Sequence, residues 1–318
     1  MKNVEIDIFC IAKTQVDRAE VRLWLDYIGA GNYEIPDDGN VTDPSLLVAM
    51  AAKRCYMSFE AGLNPNVTRV RKDLTEYLDN VLKSGHGSVL EHATYTFAIE
   101  NVSRVFTGEM NRHRAGVGIS EGSMRYIRYT DIPWWMPPSM RLTSDEKDAI
   151  LAGQDFFQLS LGSTLQEFRV SAKHVYVHPS IECRLAEPLL SRWKMAIKKL
   201  KTQRVFEEHF AMTENNYEEL QKIWSDELAP ESKFHGKKQI TSMMRRIIPL
   251  GVATGGVWTM NLRAVRHIIA LRSSEAAEEE IAYVFGKIAK HICEQEPQLM
   301  GDFTQDENGF WSPKYNKV

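Results

Sequence analysis

Between Thr241 and Arg272 the chain carries a long apolar stretch into which cations are set. Asn261, Arg263, Arg266, His267 and Arg272 stand among Trp258, Leu262, Val265, Ile268, Ile269 and Leu271. Any fold that buries this stretch must bring an anion to each guanidinium, because an unpaired charge in an apolar interior is strongly destabilising. On a helix, Arg263 and His267 are four apart and share a face, whereas Ile268 and Leu271 point elsewhere. A bound nucleotide or the pyrophosphate of a cofactor would supply the anions.

The remaining composition narrows the class. With 318 residues, 43% of them hydrophobic, the chain can bury a substantial core and is expected to form a single domain, residues 1–318. A formal net charge of -3 and a pI near 6.3 argue against a surface built for nucleic acid, so any anion site is local. Cys10, Cys55, Cys183 and Cys293 lie far apart with no CxxC pair, which suggests neither a zinc knuckle nor a disulfide framework. No window approaches the roughly 18 apolar residues of a membrane span, and the start has no signal-peptide pattern. These features predict a soluble, reduced, cytoplasmic protein.

Periodicity outlines the elements. Val4 to Ile11 alternates apolar with acidic residues and reads as a half-buried strand, followed by a helix or strand over Val21 to Ile28. Asp43-Pro44-Ser45 opens a helix reaching Cys55, and Val70 to Leu82, apolar at Leu74, Tyr77, Leu78, Val81 and Leu82, predicts an amphipathic helix that ends before Gly85. From Thr94 to Val105 the alternation of Tyr95, Phe97 and Ile99 predicts a strand leading into a polar helix or turn at Gly108 to Arg114. Residues 145–228 are charged and helical in pattern, with breaks near Pro179 and Pro188. Their basic run Lys194 to Lys201 reads as a solvated helix face. Glu275 to Cys293 predicts another amphipathic helix, and the residues after Gly301 read as a loose tail.

Two further patches carry chemistry. Arg112-His113-Arg114 flanks an imidazole with two guanidiniums, and Glu121, Ser123 and Arg125 follow closely. Guanidinium forks grip phosphate, and the Ser123 hydroxyl with the amides of a turn bearing Gly116, Gly118 and Gly122 would fill the remaining oxygens. Gly85-His86-Gly87-Ser88-Val89-Leu90-Glu91-His92 combines glycine freedom with two imidazoles and a carboxylate. Its spacing is not that of a zinc helix, so no metal site is expected.

In this order the patches resemble the flavin-dependent thymidylate synthases, a family unrelated to the enzymes that reach the same product with a cysteine nucleophile. The family signature, RHR then Ser, one residue and Arg-Tyr, corresponds to Arg112-His113-Arg114 and Ser123-Met124-Arg125-Tyr126. Gly85 to His92 with Tyr95-Thr96-Phe97 and Val102-Ser103-Arg104 looks like its flavin-contacting stretch. Arg245 to Pro249, continuing to Trp258 through Arg263 and His267 to Arg272, looks like a second nucleotide and flavin block, and Ala51 to Tyr56 resembles an early family helix.

The resemblance implies an α+β fold, a mixed or antiparallel sheet flanked by helices, here with an extra helical insertion at about 145–235. It also implies a homotetramer whose active sites lie at subunit interfaces. His86, Ser88, Glu91, Arg112, His113, Arg114, Asn261, Arg263, His267 and Arg272 would touch FAD. Glu121, Ser123, Arg125, Arg245 and Arg272 would hold the nucleotide, with Ser123, Arg125 and Arg245 nearest the phosphate. The implied reaction is C5 methylation of dUMP to dTMP, with methylenetetrahydrofolate as carbon donor and NADPH as reductant of the flavin. Arg272, near the base, and Arg112, touching both ligands, would be the catalytic groups.

Two departures from the pattern bear on the substrate. Eight residues, Ala115 through Gly122, separate Arg114 from Ser123 where the family usually has seven, and Glu109 stands where it commonly has Gln. A carboxylate repels a phosphate but suits a sugar hydroxyl, so Glu109 joins the candidate substrate residues and UMP becomes an alternative substrate. Two rival readings make different demands. A non-enzymatic nucleotide- or RNA-binding regulator calls for a basic excess and aromatic stacking positions, and a metal-dependent phosphohydrolase would use His86, Glu91 and His92.

Overall fold

The alternation read from residues 4–11 and 94–105 becomes the edge and the spine of a sheet in the computed structural model, which describes residues 2–36, 39, 41–71, 73–129, 131–151 and 188–317. The strands are Lys2–Val4 (β1), Asp7–Lys13 (β2), Thr94–Ser103 (β3), Val117–Glu121 (β4), Pro133–Trp135 (β5), Ala253–Asn261 (β6), Phe303–Gln305 (β7) and Trp311–Pro313 (β8). The first four helices are Arg18–Tyr27 (α1), Asp43–Tyr56 (α2), Leu74–Lys83 (α3) and Arg104–Met110 (α4). Leu189–Ile223 (α5), Ser225–Leu228 (α6), Phe234–Met244 (α7), Leu262–Arg272 (α8), Glu279–Gln295 (α9) and Pro297–Met300 (α10) complete the set.

The chain divides into two compact units. One comprises Val4–Ser123 and Leu250–Val318, the other Met1–Asn3 and Met124–Pro249. The expected insertion at about 145–235 falls within the second, and the break expected near Pro179 lies outside the described residues.

In the first unit the sheet order is β2-β3-β6-β4, antiparallel throughout, so the fold is α+β with an antiparallel sheet. Register sets Phe97 opposite Trp258 and Tyr95 opposite Met260, all four buried, so every second residue of both central strands points into one core. Phe106 of α4 meets the Trp258 ring edge-on at 5.7 Å, and α9 packs against α4, α8 and β2. A bulge in β3 between Ile99 and Val102 places Asn101 at φ 65°, a left-handed conformation asparagine tolerates. Its amide donates to the Glu5 carbonyl at 2.7 Å. A second cluster joins α1 to α2 through Leu25, Ala30, Leu46, Met50 and Phe59. Val21 to Ile28, open between helix and strand in sequence, falls mostly in α1, where Asp17 caps the first turn by accepting from the Ala19 and Glu20 amides.

The second unit is mainly helical. Here α5 buries Trp193, Ala196 and Ile197 near its start and Phe210, Thr213 and Tyr217 further on, and Trp134 of β5 stacks on Phe210. The run Lys194 to Lys201 is not wholly a solvated face. Lys199 turns inward and donates to Glu146 at 2.9 Å and to the Arg141 carbonyl at 3.0 Å, because Glu146 is itself buried and needs a cation.

The loose tail expected after Gly301 is instead an antiparallel hairpin of β7 and β8. Its anchor explains why. Arg266 is buried, and Asp302 receives it with both oxygens, at 2.6 and 2.8 Å, while the Leu299 carbonyl accepts at 2.6 Å and the Phe303 ring lies 4.8 Å from the guanidinium carbon. One cation expected to bind a ligand is thus neutralised within the chain. Removing Asp302 strands a buried charge, so Asp302→Ala should lose on the order of 3–5 kcal/mol in chemical denaturation. Asp302→Ala combined with Arg266→Met should recover much of that loss.

Candidate active site

Strand β3 ends at Ser103, whose hydroxyl caps α4 by accepting from the Val105 and Phe106 amides at 3.0 and 3.3 Å. Ser103 is itself gripped by the buried carboxylate of Glu280 at the start of α9. The Ser103 amide donates to it at 2.6 Å, and the hydroxyl donates to its second oxygen. From α4 the chain turns through Arg112-His113-Arg114, with the Arg112 and His113 amides closing onto the Glu109 and Met110 carbonyls. It then passes Gly116, just before β4, which at φ 70° lies so close to the Asn261 side chain that a Cβ there would come within about 2.5 Å of it. The expected phosphate-cradling glycine turn does not form. Gly118 lies within β4 opposite Thr259, and the Gly122 amide donates to the Gly255 carbonyl at 2.8 Å, because the strand ladder takes these groups first.

Asn261 ends β6 and caps α8, its side-chain oxygen accepting from the Ala264 amide at 2.8 Å. One face of α8 is buried through Leu262, Val265, Ile268 and Ile269. Arg263, His267 and Leu271 stand exposed on the other side. At the end of α8, Arg272 reaches back to α4 and the turn beyond it. Its Nη1 pairs with Glu109 Oε2 at 2.8 Å, and its Nε donates to His113 Nε2 at 2.9 Å. A guanidinium can only donate, so Nε2 of His113 accepts and the ring proton sits on Nδ1. Burial lowers the His113 pKa, and the charges of Arg272 and His267 lower it further against an opposing effect of Glu109. The His267 ring stands edge-on to His113 at 6.4 Å.

The remaining candidates of this unit fall into three groups. In the first, acids meet bases: Arg263 pairs with Glu91 at 2.5 Å and Arg104 with Glu121 at 2.5 Å, while Arg104 also donates to the Gly122 carbonyl and so holds the strand end leading to Ser123. In the second, His86 stacks on Tyr56 at 5.7 Å, with 3.3 Å between the hydroxyl and Nε2, beside the 3-10 turn Gly87–His92 that carries exposed Ser88. The third is Arg112 and Arg114, whose exposed side chains have no hydrogen-bonding partner among the described residues. Arg125 and Arg245 belong to the other unit, where Arg245 closes the end of α7. No group of three or more metal-capable side chains occurs among the described residues.

Sequence reasoning noted Tyr56, Ser103 and Arg104 only as parts of motifs and Glu280 only as part of a helix. Burial of Glu280 follows from tertiary packing, which no local pattern announces.

With this geometry in place, comparison with known proteins is informative. The fold is shared with the UMP/dUMP methylase PolB from Streptomyces cacaoi, at a TM-score of 0.53 and 14% identity over 95% of each chain. The family model described as thymidylate synthase complementing protein matches residues 40–298, and the chain belongs to that family. A probable flavin-dependent thymidylate synthase of Mycobacterium phage D29 is 28% identical over 273 residues, 86% of this chain and 89% of its own length. The flavin-dependent thymidylate synthase of Corynebacterium diphtheriae is 27% identical over 267 residues, covering 84% and 81%.

Two measurements follow from the site. Burial raises the Glu280 pKa from 4.5 to about 7, against the hydrogen bonds from Ser103. Between those values the folded chain holds a proton that the unfolded chain has released, so this group's contribution to stability falls as pH rises through that window. Glu280→Gln, which keeps an acceptor for the Ser103 amide, should flatten that fall in the thermal midpoint. For His113, imidazole NMR should find a pKa below 6.5, lower still in Glu109→Gln and higher in Arg272→Met.

Proposed function

We propose that this chain is a flavin-dependent thymidylate synthase that methylates C5 of dUMP, with methylenetetrahydrofolate as carbon donor and NADPH as reductant. The observation carrying this reading is the Arg272 guanidinium, oriented by Glu109 on one side and by the His113 ring on the other. Those two contacts leave the Nη2 donors for a ligand. A guanidinium held in advance can donate to a uracil carbonyl as negative charge develops there, with no reorganisation at that moment. Glu109 orients that guanidinium from the position it occupies, and dUMP is therefore the primary substrate in this reading.

The residues suit FAD by their chemistry. Arg112 and Arg114 offer exposed guanidinium forks of the kind a pyrophosphate requires, and His267, Arg263 and His86 add donors and flat surface nearby in sequence blocks that resemble the family's flavin stretches. Glu91 steadies Arg263, Ser88 adds a hydroxyl, and Asn261, its oxygen committed to the α8 cap, retains its amide hydrogens. When bound, FAD supplies the hydride chemistry that completes the methyl group. The chain would supply orientation: Arg112 would contact both nucleotide and flavin, His113 would donate from Nδ1, and Ser123, Arg125 and Arg245 would each offer donors to the phosphate, with Glu121 shaping the strand end beside Ser123. This assembly is a homotetramer with sites completed at subunit interfaces, in the cytoplasm.

A turnover assay with FAD, NADPH and methylenetetrahydrofolate, offering dUMP and UMP side by side, tests the reading. We expect a yellow protein that forms dTMP. Arg272→Met should lower kcat roughly 100- to 1,000-fold while retaining the flavin absorbance band. A colourless chain that does not take up FAD and turns over neither nucleotide would overturn the proposal.

A further inference from the structure

Helix α5 separates its charge by halves. From Leu189 to Arg204 it carries Arg192, Lys194, Lys198, Lys199, Lys201 and Arg204 with no acid, and from Val205 to Ile223 it carries five glutamates and a single lysine. At 1.5 Å per residue the helix is about 52 Å long, so the two charge blocks are well separated along one rod. Some of these charges are satisfied within the chain: Lys199 by Glu146, Arg204 by Glu208, Arg192 by Asp145 and Glu214 by the Ile132 amide. Segregation of this kind is not needed for those local pairs.

The same helix exposes large apolar side chains on the face it does not bury. Val205 is 64% exposed, Met212 55% and Ile223 64%. At about 100° per residue these three positions fall within roughly 20° of one another around the axis, so they form one stripe. Lys194, Lys198, Lys201, Glu208 and Glu219 lie close to the same line and are all exposed.

We propose that α5 is a homotypic pairing element that packs antiparallel against α5 of a second copy of this chain, about a two-fold axis near Val205. Antiparallel pairing sets the basic half of each helix on the acidic half of the other, whereas parallel pairing sets like charge on like. With the axis near the helix midpoint, Lys194 comes within a turn of Glu219, Lys201 comes within a turn of Glu208, and Val205 meets its own copy. The aliphatic stems of Lys198 and Lys201 then cover Met212 while their ammonium groups stay hydrated. The contact lies on α5 alone and is independent of the catalytic reading.

The test uses the chain of residues 1–318. Val205→Cys should form a disulfide-linked dimer on a non-reducing gel, well above the level given by the native cysteines, whereas Ile223→Cys, at the far end of an antiparallel pair, should not. Two charge-reversed forms are then made in the Val205→Cys background. One carries Lys194→Glu, Lys198→Glu and Lys201→Glu, the other Glu208→Lys and Glu219→Lys. Each alone should cross-link at least about ten-fold less, and the two mixed should regain it as a mixed dimer. Both sets sit at exposed positions, and an unchanged thermal midpoint verifies that they fold. Equal cross-linking at Val205→Cys and Ile223→Cys would mean parallel pairing. No cross-link at Val205→Cys would mean that the stripe is covered within one chain or left bare. Cross-linking indifferent to charge reversal would mean contact without this recognition. Any of the three overturns the proposal, and none of them bears on flavin binding or turnover.

Discussion

Strand β6 pairs with β3 on one side and β4 on the other, and these two ladders carry the site. The β3 ladder buries Phe97 against Trp258 and Tyr95 against Met260, which locks the register, because a slip of one residue would turn the whole apolar set outward. With register set, β3 delivers the chain to Ser103 and α4, and β6 delivers it to Asn261 and α8. The β4 ladder then returns the turn after Arg114 to the end of β6, where the Asn261 amide donates to the Gly116 carbonyl. Arg272 and His113, 159 positions apart, meet because both lie on short connections from that paired strand.

The arginines set within the apolar run share one physical problem and have three solutions. Arg266 is buried and takes a bidentate carboxylate, a carbonyl and an aromatic face, which makes it a fastener for the C-terminal hairpin. Arg263 is exposed and pairs with Glu91, a contact screened by solvent and open to competition from a ligand. Arg272 lies between these extremes, held by Glu109 and His113 with donors to spare. The same residue type at similar spacing thus becomes structural, adjustable or oriented, according to the depth at which α8 places it and the acid the fold brings to it.

Much of the fold was legible locally. The apolar alternation of β3, the capped start of α2 and the amphipathic patterns of α3 and α9 each depend on neighbours in sequence, so they could be read before any tertiary contact was known. The tail after Gly301 was misread because its few residues have little periodicity. They are ordered by Arg266, whose need for a counter-ion was evident although the source of that counter-ion was not. The glycines after Arg114 were misread for a related reason: a glycine-bearing segment suits both a phosphate turn and a tight strand, and only pairing with β6 decides between them.

The sequence by itself determined the chemical inventory: which residues can donate, accept or carry charge, the order in which they follow one another, and through that order a resemblance that the family match over residues 40–298 bears out. Only the tertiary structure decided which of those groups face one another. Glu109 was read as a partner for a sugar hydroxyl, and the fold sets it against Arg272, while Glu280, which no motif marked, grips the cap of α4. Charge and hydrogen-bonding capacity belong to a residue alone, whereas partner, burial and hence pKa belong to the surroundings that distant segments provide.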